Sequence, residues 1–343
     1  MFTPPTIDQV PSAQEMVAIM DRTVAGLTRV KKRLAVALRR FLVSAALGRD
    51  IRPTNMLLIG GSGSGKTHIV RALLSSVPCI WADVSVTSYS DVGYIGRDLA
   101  SMYLDLAGPD FRGSRRGDEK PIALREFVPL IERFGVVVLD EFDKLRAQQK
   151  PGERQVGLAL QHELLTMVEG TEVLVRRNEE DRGGFSLNTR GILHIAVGAF
   201  PGLSAYVARD LGVEAEPHHY QEASLVNLCH YGFTEELIGR FSTVLTLPPL
   251  DVGAMARILR EQIVPVFTAQ FADEGVQLVV DDGAINAAAS KCALLPIGAR
   301  ALAPLIDECL WAPAFDARPG DRLELTPEGI SRGHANLVRG LAA

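Results

Sequence analysis

Apolar residues recur every three or four positions over residues 13–47, at Val17, Ile19, Met20, Val24 and Leu27 and again from Leu34 to Leu38. That period predicts amphipathic helix. The pattern then shortens and becomes continuous. MLLIG (56–60) is an apolar run closed by glycines, the form taken by a strand buried on both faces of a parallel sheet. A helical period follows from Lys66 to about Ser75, and CIWADVSV (79–86), GVVVLD (135–140), GILHIAVGAF (191–200) and STVLTL (242–247) read as four further strands. Strands alternating with helical stretches predict an open α/β sheet with helices on both faces and ligands at the carboxyl ends of its strands. Pro248 and Pro249 break this alternation, and from Asp251 the pattern is mainly helical until RLEL (322–325). Two domains are therefore expected, 1–248 and 249–343, since the chain is longer than one core usually supports.

Composition narrows the class without naming a function. With 47% hydrophobic and 22% charged residues, the chain has the balance of an ordinary globular protein. No apolar run approaches the roughly 18 residues of a membrane span, and MFTPPTIDQVPSAQ has neither a basic nor an apolar leader segment, so a cytoplasmic location is expected. The cysteines at 79, 229, 292 and 309 form no C-x-x-C pair, which disfavours a zinc module and a disulfide framework. A net charge of −5 gives no global reason to bind nucleic acid.

Chemistry enters at GGSGSGKT, where Gly60, Gly61, Ser62, Gly63, Ser64, Gly65, Lys66 and Thr67 fit the phosphate-loop pattern between a strand and a helix. The glycines let backbone N–H groups curl around phosphate oxygens, Lys66 neutralises the terminal phosphates, and Thr67 can ligate Mg2+. VVVLDE places Asp140 and Glu141 at the end of the third strand. Asp140 suits the metal's water shell and Glu141 the attacking water, which together imply hydrolysis rather than binding alone. Arg240 ends FTEELIGR, a helix that Thr234 is expected to cap, with Glu236 one turn before it; Arg300 in PIGAR sits at a helix start, where the dipole disfavours a cation. Spacing leaves both arginines open between function and surface. Likewise Tyr94 and Ile95, between the glycines of GYIG, are either folded onto the core or offered outward.

In order, TVAG, GGSGSGKT, GYIG, VVVLDEFDK, ILHIAVGAF, EELIGRF and IGAR resemble the sequence boxes of the AAA+ unfoldases of the ClpX and HslU type, over residues 13–312. The resemblance implies an α/β phosphate-loop large domain with a parallel sheet, followed by a smaller, mainly helical lid, in a hexameric ring with ATP and Mg2+ between subunits. It implies Arg240 as an arginine finger toward a neighbour's nucleotide, Arg300 as a nucleotide sensor, and Val24 and Ala25 against adenine. GYIG corresponds to the pore loop whose aromatic grips a threaded polypeptide. One buried aromatic contributes only about 1.5–3 kcal/mol against the 5–15 of a folded domain, so a ring of such loops, reset by ATP, is required.

The sequence departs from the family in several places. It shows no cysteine-bearing zinc domain before the ATPase, no large insertion after the pore loop, and no Ile-Gly-Phe tripeptide between Phe200 and Arg240 for docking a peptidase. The charged stretches 109–120 and 176–184 are expected as loops. The expected function is an ATP-dependent protein unfoldase or remodelling chaperone acting on protein substrates, with a peptidase partner doubtful; the alternative is a nucleotide-gated ring that binds a partner without threading it.

Overall fold

The strands are, in chain order, β1 (Met56–Gly60), β2 (Ile80–Ser85), β3 (Gly135–Asp140), β4 (Glu172–Val175), β5 (Phe185–Asn188), β6 (Leu193–Gly198), β7 (Thr243–Leu247), β8 (Gln277–Val280), β9 (Arg322–Leu325) and β10 (Asn336–Val338). They belong to a computed structural model that describes residues 2–50, 52–89, 98–107, 121–147, 156–176, 184–295 and 297–340. Contacts divide the chain into two compact units. The larger comprises Met1–Thr23, Thr28–Gly60 and Lys66–Leu247; the smaller comprises Val24–Leu27, Gly61–Gly65 and Pro248–Ala343.

In the larger unit five strands form one sheet in the order β2-β3-β6-β1-β7, every pairing parallel. Burial follows position. β1 and β6 are buried at every residue, as interior strands covered on both faces must be, whereas β2 at the edge alternates buried and half-buried. A short antiparallel hairpin, β4 with β5, brackets the 176–184 stretch and has no counterpart in the sequence reading.

The long amphipathic stretch at 13–47 is two helices. α1 (Ala13–Asp21) opens on a capping box in which Ser12 Oγ accepts from Glu15 N at 3.2 Å and Glu15 Oε2 accepts from Ser12 N at 2.7 Å. Gly26 and Leu27 then take left-handed backbone, φ 64° and 57°, which no helix accommodates, and α2 (Thr28–Ala46) restarts beyond them. Just past the end of α2, Gly48 takes φ 67° and Arg49 N donates to Ser44 O, while Arg133 donates to the carbonyls of Ala45 and Ala46. α3 (Lys66–Leu74) buries Ile69, Val70, Leu73 and Leu74.

The smaller unit is mainly helical around a core that includes Leu259, Ile285, Leu302, Ile306 and Leu310. It also contains a three-stranded sheet, β8 parallel to β9 and β10 antiparallel to β9, of which only the β9 segment is legible in sequence. Among the described residues no helix is long and apolar enough to cross a membrane.

Candidate functional site

At the carboxyl ends of the parallel strands, side chains from three elements meet in the larger unit. Thr67, in the first turn of α3, donates from Oγ1 to Asp140 Oδ2 at 3.0 Å. β6 lies between β1 and β3, so this bond reaches past the end of an intervening strand, where the chain is a glycine, Gly198. Lys66 is buried and its Nζ donates to Gly60 O at 2.7 Å, drawing the ammonium back over the start of its own loop.

Glu141 follows Asp140 with φ 58° and ψ 30°, a left-handed conformation that is strained for a residue with a side chain. The turn is fixed by Asp140 Oδ1, which accepts from Glu141 N at 2.8 Å. Pairing of Ser85 with Asp140 in the β2–β3 register brings the end of β2 alongside. There Ser85 Oγ at 2.5 Å and Thr87 Oγ1 at 2.9 Å both donate to Glu141 Oε2. Two residues earlier on β2, Asp83 accepts from Arg71; partial burial, first, and the Asp140 charge raise its pKa against the pull of Arg71. Sequence inspection did not single out Ser85, Thr87 or Asp83. The available signal was the polar half of the alternation in β2, whose carboxyl end must face whatever β3 presents.

Buried Asp143 accepts from Ala199 N at 2.9 Å, tying the end of β6 to the turn after β3. Phe142 stacks on Phe233 with centroids 5.2 Å apart and meets Phe241 edge-on at 5.2 Å. Glu141 precedes Phe142 and Arg240 precedes Phe241 in sequence. Arg240 is exposed and its guanidinium pairs with Glu169, a residue 71 positions away, and not with Glu236 as spacing suggested. Nor does Thr234 cap its helix through the side chain: the hydroxyl is buried without a partner among the described residues, and Thr234 N donates to Gln161 Oε1 at 2.8 Å.

In the smaller unit, Arg300 lies in a short 3-10 turn (Gly298–Ala301) and donates from Nη1 to Ser62 Oγ at 3.1 Å. Gly63, φ 70°, lies so close to this turn that a Cβ on it would stand 2.2 Å from Ile297 O. Only glycine fits there. Ser64 is buried with its hydroxyl unpartnered among the described residues, whereas around Gly61 and Gly65 no atom lies within 4 Å of an added Cβ. Val24 and Ala25 are buried in the same unit. Tyr94 and Ile95 lie outside the described residues, as does the 109–120 stretch.

Known proteins match this chain over most of its length. A family model described as "AAA domain (Cdc48 subfamily)" matches residues 123–244. The chain is 32% identical over 338 residues to "ATP-dependent Clp protease ATP-binding subunit ClpX" of Azotobacter vinelandii, covering 87% of this chain and 72% of that protein. It is 30% identical to "ATP-dependent Clp protease ATP-binding subunit ClpX 3" of Methylococcus capsulatus, covering 90% and 77%, and 28% identical to the ClpX subunit of Treponema denticola, covering 90% and 78%. A phosphate loop joined to a paired acid, on a parallel sheet, within a chain that matches these relatives over most of its length leaves one conclusion: this chain belongs to the ClpX family of AAA+ ATPases.

Proposed function

We propose that the chain is an ATP-dependent unfoldase or remodelling chaperone that works as a hexameric ring and threads polypeptide past Tyr94 and Ile95. The observation that carries the hydrolytic part is the arrangement at Glu141: a carboxylate in a strained turn, beside Asp140 and held by two hydroxyls that can let go of it. Such a group can take the proton of an attacking water once its oxygen is released. Lys66 neutralises the terminal phosphates of ATP, the backbone of residues 60–65 cradles them, Val24 and Ala25 lie against the base, and Arg300 reads the bound nucleotide from the lid, 249–343. Arg240, exchanging Glu169 for a phosphate, supplies the finger to a neighbour's site.

Thr67 and Asp140 offer two hard oxygens suited to Mg2+, and among the described residues no group of three or more His, Cys, Asp or Glu side chains converges. That donor set fits an ion held by two protein oxygens, water and substrate phosphates rather than by a protein cage. Mg2+ there would supply charge neutralisation at the phosphates. No peptidase is proposed as an obligate partner.

Threading is tested with Tyr94→Ala on a tagged fluorescent substrate, measuring ATP turnover and loss of fluorescence together. The expected outcome is turnover within about twofold of wild type with unfolding reduced at least tenfold, because one aromatic grip per subunit is removed while the hydrolytic groups are intact. Undiminished unfolding would sink the reading.

A further inference from the structure

The amino ends of the parallel strands carry a second concavity, wholly within the larger unit and on the opposite edge of the sheet from Asp140 and Glu141. Its volume is about 670 Å3, in the range of small-molecule sites, and it is lined by one face of α2, the helix Pro121–Phe134 and the segments that lead into β1, β6 and β7. Six arginines line it against two acids, in a chain whose net charge is −5.

What those arginines do divides them sharply. Arg133 caps α2, Arg52 donates to Glu169 O at 2.5 Å, and Arg190 lies 3.8 Å from Asp50. Arg33, Arg40 and Arg49 have no ion pair and no side-chain hydrogen bond among the described residues. Arg33 and Arg40 are seven residues apart on α2, so they rise from one face about 10 Å apart. Of the wall's two acids, Glu132 Oε1 accepts from Asn188 N at 2.7 Å and Asp50 lies beside Arg190, and neither pairs with these three arginines. Between the cations the lining is apolar at Val36 and Phe41 and hydroxylic at Ser44 and Thr54.

From this we infer that the concavity is a binding site for an oligophosphate anion, distinct from the phosphate loop, with Arg33, Arg40 and Arg49 as its ligating side chains. Guanidinium forks bind phosphate oxygens two at a time, and three of them spaced around one hollow suit a chain of phosphates better than a single carboxylate. A nucleic-acid duplex is not the ligand, since the cations converge in a hollow and do not run along a stripe. An inorganic oligophosphate and the phosphate tail of a nucleotide share the chemistry, and the apolar wall at Val36 and Phe41 accommodates the second.

The test is calorimetric titration of the full-length protein, its phosphate loop first saturated with ADP, using inorganic tripolyphosphate in one arm and further ADP in the other. The expected result is one additional site per chain for tripolyphosphate, weakened at least tenfold, or about 1.4 kcal/mol, in an Arg33→Gln/Arg40→Gln double variant. Arg49→Gln alone should weaken it less, and ATP turnover of all variants should match wild type. Additional ADP binding at the same arginines identifies a nucleotide ligand, and its absence an inorganic one. No binding of tripolyphosphate to the ADP-saturated wild type, or binding that the double variant retains unchanged, would overturn the assignment.

Discussion

The two edges of the parallel sheet use polar groups in opposite ways. At the carboxyl edge, Thr67 bonds to Asp140, and Ser85 and Thr87 bond to Glu141, all through exposed or half-buried side chains. At the amino edge, polar groups beneath the surface are locked. Asn55 Oδ1 accepts from His194 N at 2.9 Å, and Tyr103 shares a 3.0 Å hydrogen bond with His194 Nε2, with all three residues buried. Replaceable bonds allow a site to change state when substrate arrives; fixed, buried ones hold strands in register and tolerate no rearrangement. Substitutions at the first edge should therefore alter turnover with little effect on folding, and substitutions in the buried Asn55–His194–Tyr103 network of the second should do the reverse.

Glu141→Gln is the most severe way to try to break that separation. If Glu141 is the base proposed above, its loss should cut hydrolysis by about 10²–10⁴-fold. Because Glu141 is exposed and glutamine preserves its shape, stability should stay within about 0.5 kcal/mol of wild type. Turnover assayed alongside urea unfolding checks both halves. A large fall in stability would show that the carboxyl edge also carries folding energy, and the contrast would fail.

His194 provides the matching test at the other edge. Burial removes its solvation and lowers its pKa from 6.5 to about 4. The unfolded chain therefore binds a proton that the folded chain refuses as pH drops below 6.5. The His194 contribution is complete above that pH and is lost progressively as pH falls toward 4. Between pH 7.5 and 4.5 the loss should be roughly 2–3 kcal/mol. Unfolding measured at both pH values in wild type and His194→Gln isolates it, since the other titrating groups are common to the two proteins. Equal acid sensitivity would place the proton elsewhere.

How much of each edge could be read from sequence follows from the same difference. β1, β3 and β6 are continuous apolar runs, and the glycine-rich stretch 60–67 joins β1 to α3, so the strands and this junction were legible. The Ser85 and Thr87 contacts with Glu141 were not. They exist because β2 pairs with β3 in one register, 56 and 54 residues apart in sequence, and no local period encodes such a pairing. Arg240 with Glu169 is another long-range choice, which overrode the nearer Glu236. In the smaller unit β8 and β10 span four and three residues, partly exposed, too short for alternation to stand out. The break at Gly26 and Leu27 is hidden in the sequence because the apolar period runs through it, from Val24 to Leu34, while the backbone reverses hand between.

The smallest expected effect is also the most specific to the carboxyl edge. Ser85 and Thr87 both occupy Glu141 Oε2, so the oxygen that would receive the water's proton is engaged by two donors. Donors to a carboxylate stabilise its charged form and lower its basicity. Removing one, in Ser85→Ala, should release Glu141 by about 0.5–1.5 kcal/mol and raise basal ATP turnover by about threefold to tenfold. The same substitution should leave stability to urea within about 0.5 kcal/mol of wild type, an outcome that loss of packing would not produce. Thr87→Ser, which keeps the hydroxyl and drops only a methyl group, should leave both quantities near wild type. A fall in turnover for Ser85→Ala would mean that the hydroxyl aims Glu141 at the water instead of restraining it, and the bonds at this edge would then belong with the fixed kind found at the other.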